Sequence, residues 1–211
     1  MKLLSINLGH LQTIRHGERD VETGIFKNPV DGVHSVGLLG IDGDRQADTE
    51  NHGGADKALY FYTVENSRLW EMELGRTLPP GAFGENFTVS GMPDETVHIG
   101  DIFRVGGITV QVTQPRVPCF KLGIKMQDMK FVTRFLHSGR AGFYTRILEP
   151  GAAAAGDGIA LLEVDPHGLS VKEAMLALIK GDRQQEIIKR ALEVPALSVA
   201  WQTDLRKRLQ S

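Results

Sequence analysis

The sequence predicts a mainly β protein, a barrel with a few helices, followed by a small C-terminal segment of three helices. Up to about residue 164, short apolar stretches alternate with glycine-containing turns, as in barrels and sandwiches. One of these stretches, 101–114, shows the apolar and polar alternation of a half-buried strand. After Pro166 the pattern changes to short amphipathic helices. We therefore expect a β-barrel domain over 1–164 and a three-helix extension over 165–211.

The strands are predicted from apolar runs that end in turn residues. The clearest runs are KLLSINL (2–8), VHSVGLLGIDGDR (33–45), DIFRVGGITVQVTQ (101–114) and the closing GIALLEV (158–164). The stretch PGAAAAGDG (150–158) between two such runs is interpreted as a loop. Many short strands of this kind favour an all-β architecture.

A β-hairpin is predicted within 101–114. Ile108, Val110 and Val112 alternate with polar residues, so one side of this strand faces the core. Gly106 and Gly107 precede it, and because both can adopt positive φ, they indicate a two-residue turn.

Two helices are predicted to interrupt the strands. In TVENSRLWEMELG, Thr63 can act as the N-cap and Gly75 can end the helix. In MKFVTRFLHSG, Phe131 and Phe135 are four residues apart and so share one helical face, and Gly139 ends the segment.

The C-terminal extension contains three amphipathic segments. SVKEAMLALIKG opens with Ser170 and Glu173 in capping-box spacing, and Gly181 is expected to end it. The segments DRQQEIIKRALEV and SVAWQTDLRKRLQ follow, the latter with Trp201 and Leu205 four apart. Helices this short are not stable alone, so they should pack on one another or on the barrel.

The composition excludes several classes of protein. A formal charge of -2 argues against a nucleic-acid-binding protein. One cysteine rules out an internal disulfide and a cysteine-rich zinc or iron–sulfur site. Polar residues interrupt the first apolar run too early for a signal peptide, and no stretch is long enough to cross a bilayer. We expect a cytoplasmic protein.

Catalytic motifs of the common enzyme classes are also absent from the sequence. There is no HExxH, no GxSxG and no Walker loop. The dinucleotide-binding pattern GxGxxG is missing as well, which agrees with the β-rich prediction.

The single cysteine, Cys119, lies in the stretch QPRVPCFKLG (114–123). Pro115 and Pro118 stiffen the chain there, directly after the best-defined strand. Arg116 and Lys121 bring positive charge close to the sulfur, which favours the thiolate. Such a sulfur can serve as a nucleophile or as a ligand of a soft metal. The alternative is a small buried apolar residue.

The stretch NHGGADKAL (51–59) is the second candidate binding element. Gly53 and Gly54 would let backbone N–H groups approach a ligand closely, and Lys57 adds a charge suited to phosphate. His52 is the one histidine in an informative setting. An ordinary turn with a solvated lysine explains the same residues.

Other polar residues beside glycine or strand ends are weaker candidates. In FGENFTVSG (83–91), Glu85 and Asn86 could contact a ligand or merely stabilise a turn. Arg45, Arg140 and Arg146 are compatible with an anionic ligand but equally with a solvated surface.

Four of these stretches, taken in order, resemble the MOSC domain, which is named for its place at the C-terminus of molybdenum cofactor sulfurases. They are HGGADKAL, FGENFTVSG, HIGDIFRVGGITVQVTQPRVPCFKLG and GRAGFYTRILEPG, and the likeness covers about residues 30–162. The helical tail resembles the extension of stand-alone bacterial MOSC proteins. Within that group, the chain is most similar to molybdoenzymes that protect cells from N-hydroxylated purine bases.

The resemblance implies a ligand and a set of residues that bind it. The ligand would be the molybdenum cofactor, a pterin dithiolene that carries a phosphate. Cys119 matches the family's cysteine, proposed as the protein ligand of molybdenum. The residues expected around the pterin and its phosphate are Lys57, His52, Gly53, Gly54, Glu85, Asn86, Arg116, Lys121, Arg45, Arg140 and Arg146.

The resemblance also implies an activity, the reduction of N-hydroxylated small molecules. Because the sequence has no flavin or iron–sulfur motif, the electrons would come from a separate partner, a flavoprotein reductase. A sulfur carrier or transferase that holds a persulfide on Cys119, a non-enzymatic carrier of the cofactor, and a domain with a structural cysteine remain alternatives. The tail could cover the barrel, form a homodimer contact or bind the electron donor.

Overall fold

The structure is a computed structural model that describes residues 1–45, 54–179 and 184–210. Most of its regular structure is strand, which confirms the mainly β prediction. The strands are β1 (Lys2–Gly9), β2 (Gln12–His16), β3 (Arg19–Thr23), β4 (Lys27–Val30), β5 (Val33–Gly37), β6 (Gly40–Ile41), β7 (Leu59–Thr63), β8 (Phe87–Ser90), β9 (Ile102–Val105), β10 (Ile108–Pro115), β11 (Phe143–Glu149), β12 (Gly151–Ala154) and β13 (Ile159–Glu163).

Eight strands form the main sheet, in the order β13-β9-β10-β11-β7-β8-β1-β4. All neighbouring pairs are antiparallel except β7 and β8, which are parallel. Strand β10, which leads to Cys119, belongs to this sheet and pairs with β9 on one side and β11 on the other.

The sheet curls but does not close into the barrel that the sequence predicts. Its two ends approach each other where the Leu3 N–H donates to the Asp157 carbonyl at 2.9 Å and the Gly156 N–H donates to the Leu3 carbonyl at 2.8 Å. A continuous ladder between the ends cannot form, because β4 already occupies the same edge of β1 from Ile6 onward. The mainly β class is therefore confirmed, and the barrel that the sequence predicts is an open one.

The hairpin of β9 and β10 has the predicted two-residue turn, since Val105 pairs directly with Ile108. Only Gly106 has positive φ, 54°. Both glycines can adopt positive φ, but in this turn the first one alone does so. Gly107 matters instead for space, because a Cβ there would lie 2.9 Å from the Ala152 carbonyl oxygen.

Two smaller sheets flank the main one. β12, β5 and β6 form the first, and β2 and β3 form the second. The stretch 150–158, interpreted as a loop from sequence, contains β12, which pairs with β5 from Gly151↔Val36 to Ala154↔Val33. A run of alanine and glycine shows no alternation of apolar and polar residues, and so no strand could be predicted there.

The helices are α1 (Val64–Leu74), α2 (Phe120–Met126), α3 (Phe131–Ser138), α4 (Val171–Leu176), α5 (Gln184–Glu193) and α6 (Val199–Leu209). α1 has the predicted caps: the Thr63 hydroxyl accepts from the Asn66 N–H, and Gly75 is left-handed at φ 64°. α3 buries Phe131 and Phe135 as predicted and ends at Gly139. α2 was not predicted.

The predicted tail helices are present as α4, α5 and α6. Ser170 and Glu173 form the predicted capping box at the start of α4. α4 ends at Leu176, earlier than predicted, because the next N–H groups bond three residues back and tighten the chain into turns. Gly181, the predicted end, lies outside the described residues.

One hydrophobic core extends from the sheet into the tail. Buried sheet residues such as Leu3 and Val110 belong to the same cluster as Ile188, Trp201 and Leu205 of α5 and α6. Among the residues that the structure describes, no helix is long and apolar enough to cross a bilayer. The division at residue 164 stays a prediction, since a shared core does not define two domains.

Candidate functional site

Cys119 lies at the junction between strand β10 and helix α2. β10 ends at Pro115, and α2 begins at Phe120 with Cys119 as its N-cap, in extended conformation at φ -120°. The Leu122 N–H donates to the Cys119 carbonyl at 2.9 Å. Pro118 is buried next to it, so the backbone that carries the sulfur is held on both sides.

The cysteine lines a cavity of about 450 Å³. This volume lies within the usual range of small-molecule sites. The other lining residues come from three parts of the fold. The segment before β7 supplies Lys57, and strands β10 and β11 with the loop before α2 supply Gln114, Val117, Pro118 and Tyr144. Helix α6 supplies Ala200, Trp201, Thr203 and Asp204.

Arg116 supplies buried positive charge beside this cavity. Its side chain is 5% exposed, and its guanidinium carbon lies 5.3 Å from the ring centroid of Tyr60 and 5.5 Å from that of Phe135. Its charge interacts with that of Cys119. The Nη1 atom is buried without a hydrogen-bond partner among the described residues. Because arginine stays protonated, a fixed cation is available near the sulfur.

Tyr144 lines the same cavity and is coupled to both of these charges. Burial raises the pKa of its phenol above the usual value, while the Arg116 guanidinium opposes that rise and Cys119 adds to it. The phenol is therefore neutral at physiological pH and can donate a hydrogen bond into the cavity.

Lys57 is a cation on the cavity wall, and it ends a short 3-10 helix over Ala55–Lys57. The Lys57 N–H donates to the Gly54 carbonyl at 3.0 Å, and Gly54 has φ 91°, a conformation that favours glycine. His52 and Gly53, the other candidates of this stretch, lie outside the described residues.

Glu85 and Asn86 are both buried and bonded to the protein itself. The Glu85 carboxylate accepts from the Gly81 N–H at 2.6 Å and from the Phe83 N–H at 3.0 Å. Burial raises the pKa of Glu85, and these hydrogen bonds work against that rise. The Asn86 amide oxygen accepts from the Tyr60 N–H at 3.2 Å. Both side chains therefore stabilise the surrounding backbone through hydrogen bonds, and neither lines the Cys119 cavity.

A buried network of charges that the sequence did not suggest adjoins Glu85 and Asn86. Asp44 accepts from the Asn86 side chain at 2.9 Å and pairs with the Lys27 ammonium. The Lys125 ammonium donates to the Ile25 carbonyl at 2.7 Å. Burial lowers the pKa of Lys125 to about 8; Glu85 opposes this effect, and the charges of Arg116 and Lys27 add to it. No sequence spacing could reveal these contacts, which join residues up to 100 positions apart.

The remaining cationic candidates are dispersed, and the Cys119 cavity lining includes none of them. Lys121 is half-buried on α2, and Arg45 is exposed and lines another cavity, of about 950 Å³. Arg140 pairs with Glu73 at 2.6 Å and lies over the Trp70 ring at 3.8 Å. Arg146 pairs with Asp56 at 2.8 Å and donates to the Ala196 carbonyl.

Helix α6 supplies the cavity residues that sequence reasoning missed. Ala200, Trp201 and Asp204 lie at helical spacing on one side of α6, with Thr203 beside them. The amphipathic pattern pointed to Trp201 as a core residue, which it is, at 5% exposure. It could not show that the same face borders the cysteine, because that depends on how the tail packs.

The donor atoms at this site fit an anionic ligand that contains a thiophilic metal. In the described part of the chain, no group of three or more His, Cys, Asp or Glu side chains could hold a metal ion. A metal bound here through Cys119 would need further ligands from a cofactor. The unpartnered Nη1 of Arg116 and the Lys57 ammonium match the negative charge of such a group.

The curled sheet and the cavity define a strand-rich protein with a cysteine sulfur, a donor suited to soft metals, at its pocket. Residues 48–160 match the family described as the MOSC domain. The chain belongs to the MOSC domain family, which is associated with binding of the molybdenum cofactor.

Relatives cover nearly the whole chain. The chain is 40% identical to the uncharacterized protein YflK of Bacillus subtilis, over 98% of this chain and 93% of that protein. It is 30% identical to protein YiiM of Escherichia coli, over 97% and 91%. The crystal structure of YiiM from Geobacillus stearothermophilus superposes with a TM-score of 0.84 at 34% identity, over 99% of this chain and 98% of that one. The extended tail is therefore shared with these relatives.

Proposed function

We propose that the protein is a molybdenum-cofactor-dependent reductase of N-hydroxylated small molecules, such as N-hydroxylated purine bases. The observation that carries the proposal is the Cys119 side chain, which borders a small-molecule cavity together with Lys57 and interacts with the buried charge of Arg116. A 34% identical relative over 76% of this chain, from Gibberella moniliformis, is named "Reductase", which supports this class of chemistry.

The cofactor would be held at both of its ends. Cys119 would ligate the metal through its thiolate, which the nearby guanidinium favours. Lys57 and Arg116 would neutralise the phosphate and the dithiolene charge, and the Gly54 turn would bring backbone close to the pterin. When bound, the cofactor supplies a two-electron centre that can accept an oxygen atom.

The residues of the chain would then position the substrate and its protons. The net reaction converts R–NHOH, two electrons and two protons into R–NH₂ and water, so the N–O bond breaks and its oxygen leaves as water. The neutral phenol of Tyr144 and the ammonium of Lys57 are two hydrogen-bond donors of the cavity wall. Each can donate a hydrogen bond to the departing oxygen, which gains negative charge as the N–O bond lengthens.

The electrons would come from a separate protein, a flavoprotein reductase, because this sequence contains no flavin or iron–sulfur motif. The relative named "Reductase" is compatible with a donor that lies outside the matched region, since that region is 29% of that protein. The rest of that chain leaves ample length for other domains.

The test compares wild type with the Cys119→Ser variant. We expect wild type purified from cells that make the pterin to contain close to one molybdenum per chain, and to reduce an N-hydroxylated base with a flavoprotein donor. Cys119→Ser should lose that activity and most of the metal, because a hydroxyl is a poor ligand for a thiophilic metal.

Wild type from cells that cannot make the pterin is the control, and it should be free of molybdenum and inactive. A serine variant with full metal and turnover would refute the assignment of Cys119. Wild type that binds the cofactor but reduces no N-hydroxylated compound with any donor would indicate a cofactor carrier instead.

A sulfur carrier is the second candidate, because the charge of Arg116 would stabilise a persulfide anion on Cys119 as well as a thiolate. Mass spectrometry of the native protein distinguishes the two functions. The peptide that contains Cys119 would gain the mass of one sulfur atom in a carrier and would be unmodified in a reductase.

A further inference from the structure

Helix α6 forms one wall of the cavity that holds the cysteine. Four of its residues border the cavity, namely Ala200, Trp201, Thr203 and Asp204. Asp204 is the only acidic residue among the described residues that line this cavity, and it is exposed. The wall thus places a carboxylate in the same cavity as a thiol and the Lys57 ammonium.

Buried hydrogen bonds fix α6 to the strand that leads to Cys119. The Ser198 hydroxyl donates to the Gln114 side chain at 2.6 Å, and the Ser198 N–H donates to the Thr113 carbonyl at 3.2 Å. Ser198 also caps α6, because its oxygen accepts from the Trp201 N–H. The position of the wall relative to the sulfur is therefore set by direct bonds between the two elements.

A second anchor ties the start of α6 to the segment that carries Lys57. The Val199 N–H donates to the Asp56 carboxylate at 3.4 Å, and Arg146 bridges that carboxylate at 2.8 Å to the Ala196 carbonyl at 2.9 Å. Since Asp56 directly precedes Lys57, the same contacts hold both the acidic and the basic wall of the cavity.

We propose that Asp204 is a specificity-determining residue, which selects substrates that carry an N–H donor beside the N-hydroxyl group. The inference rests on the proposed function and extends it to the recognition of the substrate. The structural basis is a carboxylate on a fixed helix that borders the same cavity as the reactive sulfur.

The chemistry of the substrate class matches this arrangement. An ionised carboxylate only accepts hydrogen bonds, and it binds two adjacent N–H donors well. An N-hydroxylated amidine, as found in N-hydroxylated aminopurines, presents an N–H next to the N–O bond that breaks. The apolar wall of Val117, Pro118 and Trp201 suits the flat face of such a ring.

The first test measures kcat and KM of the cofactor-loaded enzyme with its electron donor, for Asp204→Asn and Asp204→Ala. With a substrate that carries the adjacent N–H, we expect KM to rise about tenfold in Asp204→Ala and less in Asp204→Asn, because the amide oxygen still accepts a bond. The kcat should stay within about twofold, as the bond is made equally before and during reaction.

Two controls separate recognition from a structural effect. A substrate whose N–H is replaced by N–methyl should show the same KM in wild type and variants. Glu163→Gln, which removes an exposed carboxylate from β13, should leave both constants unchanged. Equal loss with both substrates, or a fall in kcat alone, would overturn the proposal.

The second test needs neither cofactor nor turnover. In the cofactor-free protein, Cys119 is alkylated with anionic iodoacetate and with neutral iodoacetamide. Removal of the Asp204 charge should raise the rate with iodoacetate relative to the rate with iodoacetamide about two- to fivefold at low ionic strength, because the carboxylate no longer repels the anionic reagent. Salt should reduce the effect. An unchanged ratio would show that Asp204 does not act in the same cavity as the sulfur and would overturn the proposal.

The two tests also distinguish this proposal from the proposed function. If wild type reduces no N-hydroxylated compound, the function fails, and so does the assignment of this substrate class to Asp204. A changed labelling ratio would then support only a role of Asp204 in selecting the charge of whatever enters the cavity.

Discussion

Arg116 and Cys119 interact electrostatically, and the proposed chemistry depends on this interaction. The guanidinium is buried against Tyr60 and Phe135, where the low dielectric strengthens its effect on a nearby thiol. We predict that Arg116→Met slows alkylation of Cys119 by iodoacetamide at pH 7 by about three- to tenfold, because less of the thiol is ionised.

The matched control is Arg140→Met, which also removes an arginine that lies over an aromatic ring, here Trp70 at 3.8 Å. Arg140 pairs with Glu73 and does not border the Cys119 cavity, so its loss should leave the alkylation rate unchanged. Equal slowing in the two variants would mean that the effect of Arg116 is structural. Circular dichroism should confirm that both variants are folded before the rates are compared.

Asp94 is the residue that should make stability depend on pH. Its carboxylate accepts from the Gly142 N–H at 2.8 Å and from Asn66, and burial raises its pKa from 3.8 to about 6, against the effect of these bonds. Because the folded state binds this proton more tightly than the unfolded chain does, folding stability should fall as pH rises from about 4 to about 6. The expected contribution is up to about 3 kcal/mol.

Asp94→Asn tests this dependence, since the amide cannot ionise. The free energy of unfolding of wild type minus that of the variant, from urea titrations, should decrease between pH 4 and pH 7 and then level off. Glu95→Gln is the control, and its effect should have the opposite sign. A hydrogen bond from Lys172 lowers the pKa of Glu95, so the free energy of unfolding of wild type minus that of this variant should increase as pH rises. A flat difference for Asp94→Asn would contradict the prediction.

At the residue scale, the sequence singled out three residues that the structure places in or beside one cavity, but not the residues around them. Cys119, Arg116 and Lys57 could be singled out because prolines, charges and glycines adjoin them within a few positions. Glu85 was an equally good candidate for ligand binding by its position beside a glycine, yet its carboxylate accepts hydrogen bonds from backbone N–H groups of the protein itself. Asp204 could not be found, because its proximity to the sulfur depends on contacts across the whole chain.

Among the elements, α6 matters most because it is both part of the core and a wall of the cavity. We predict that Ser198→Ala lowers the free energy of unfolding by about 1–3 kcal/mol, since it removes a helix cap and a buried bond to Gln114. Because Gln114 and α6 both line the cavity, the variant should also alkylate faster at Cys119.

Ser170→Ala is the matched variant on another tail helix. Ser170 caps α4 through its capping box, but neither Ser170 nor Glu173 borders the cavity. Loss of this cap should lower the free energy of unfolding by about 1 kcal/mol and leave the alkylation rate of Cys119 unchanged. If both variants changed the rate equally, general loosening of the tail, rather than the wall itself, would control access to the sulfur.

Local signals explain which elements the sequence could predict. α1, α3 and α4 begin or end at residues with a capping role, such as Thr63, Gly75 and Ser170, and those positions are confirmed. α2 follows Pro118 and Cys119, neither of which signals a helix cap by type. The strand β12 consists of glycine and alanine and is defined by its partner β5 alone.

For the whole molecule, the ends of the sheet show what periodicity can and cannot predict. Alternation predicts strands and therefore the mainly β class, which is confirmed. Closure depends on which edge each strand offers to its neighbours, and β1 shares one edge between β4 and the turn at 156–158. No local pattern in the sequence reports such a division, and so the sequence could not show that the barrel stays open.

The shared core predicts that the sheet and the tail unfold together, although the sequence favours a boundary at residue 164. Buried residues of α5 and α6 belong to the same cluster as the sheet, so loss of the tail would expose the apolar face it covers. The two tryptophans report on the two parts separately, since Trp70 lies in α1 and Trp201 in α6. We therefore expect Trp70→Phe and Trp201→Phe each to show one urea transition, with the same midpoint by fluorescence and by far-UV circular dichroism.

Independent unfolding of the tail would give a distinct result in this pair of variants. Trp70→Phe retains only Trp201, so its fluorescence would change at lower urea than its circular dichroism, while Trp201→Phe would show the reverse order. Coincident midpoints in both variants would mean that the wall of the Cys119 cavity cannot detach without unfolding of the sheet. The acidic and basic sides of the cavity would then be held at a fixed separation for as long as the protein is folded, as recognition of a small substrate requires.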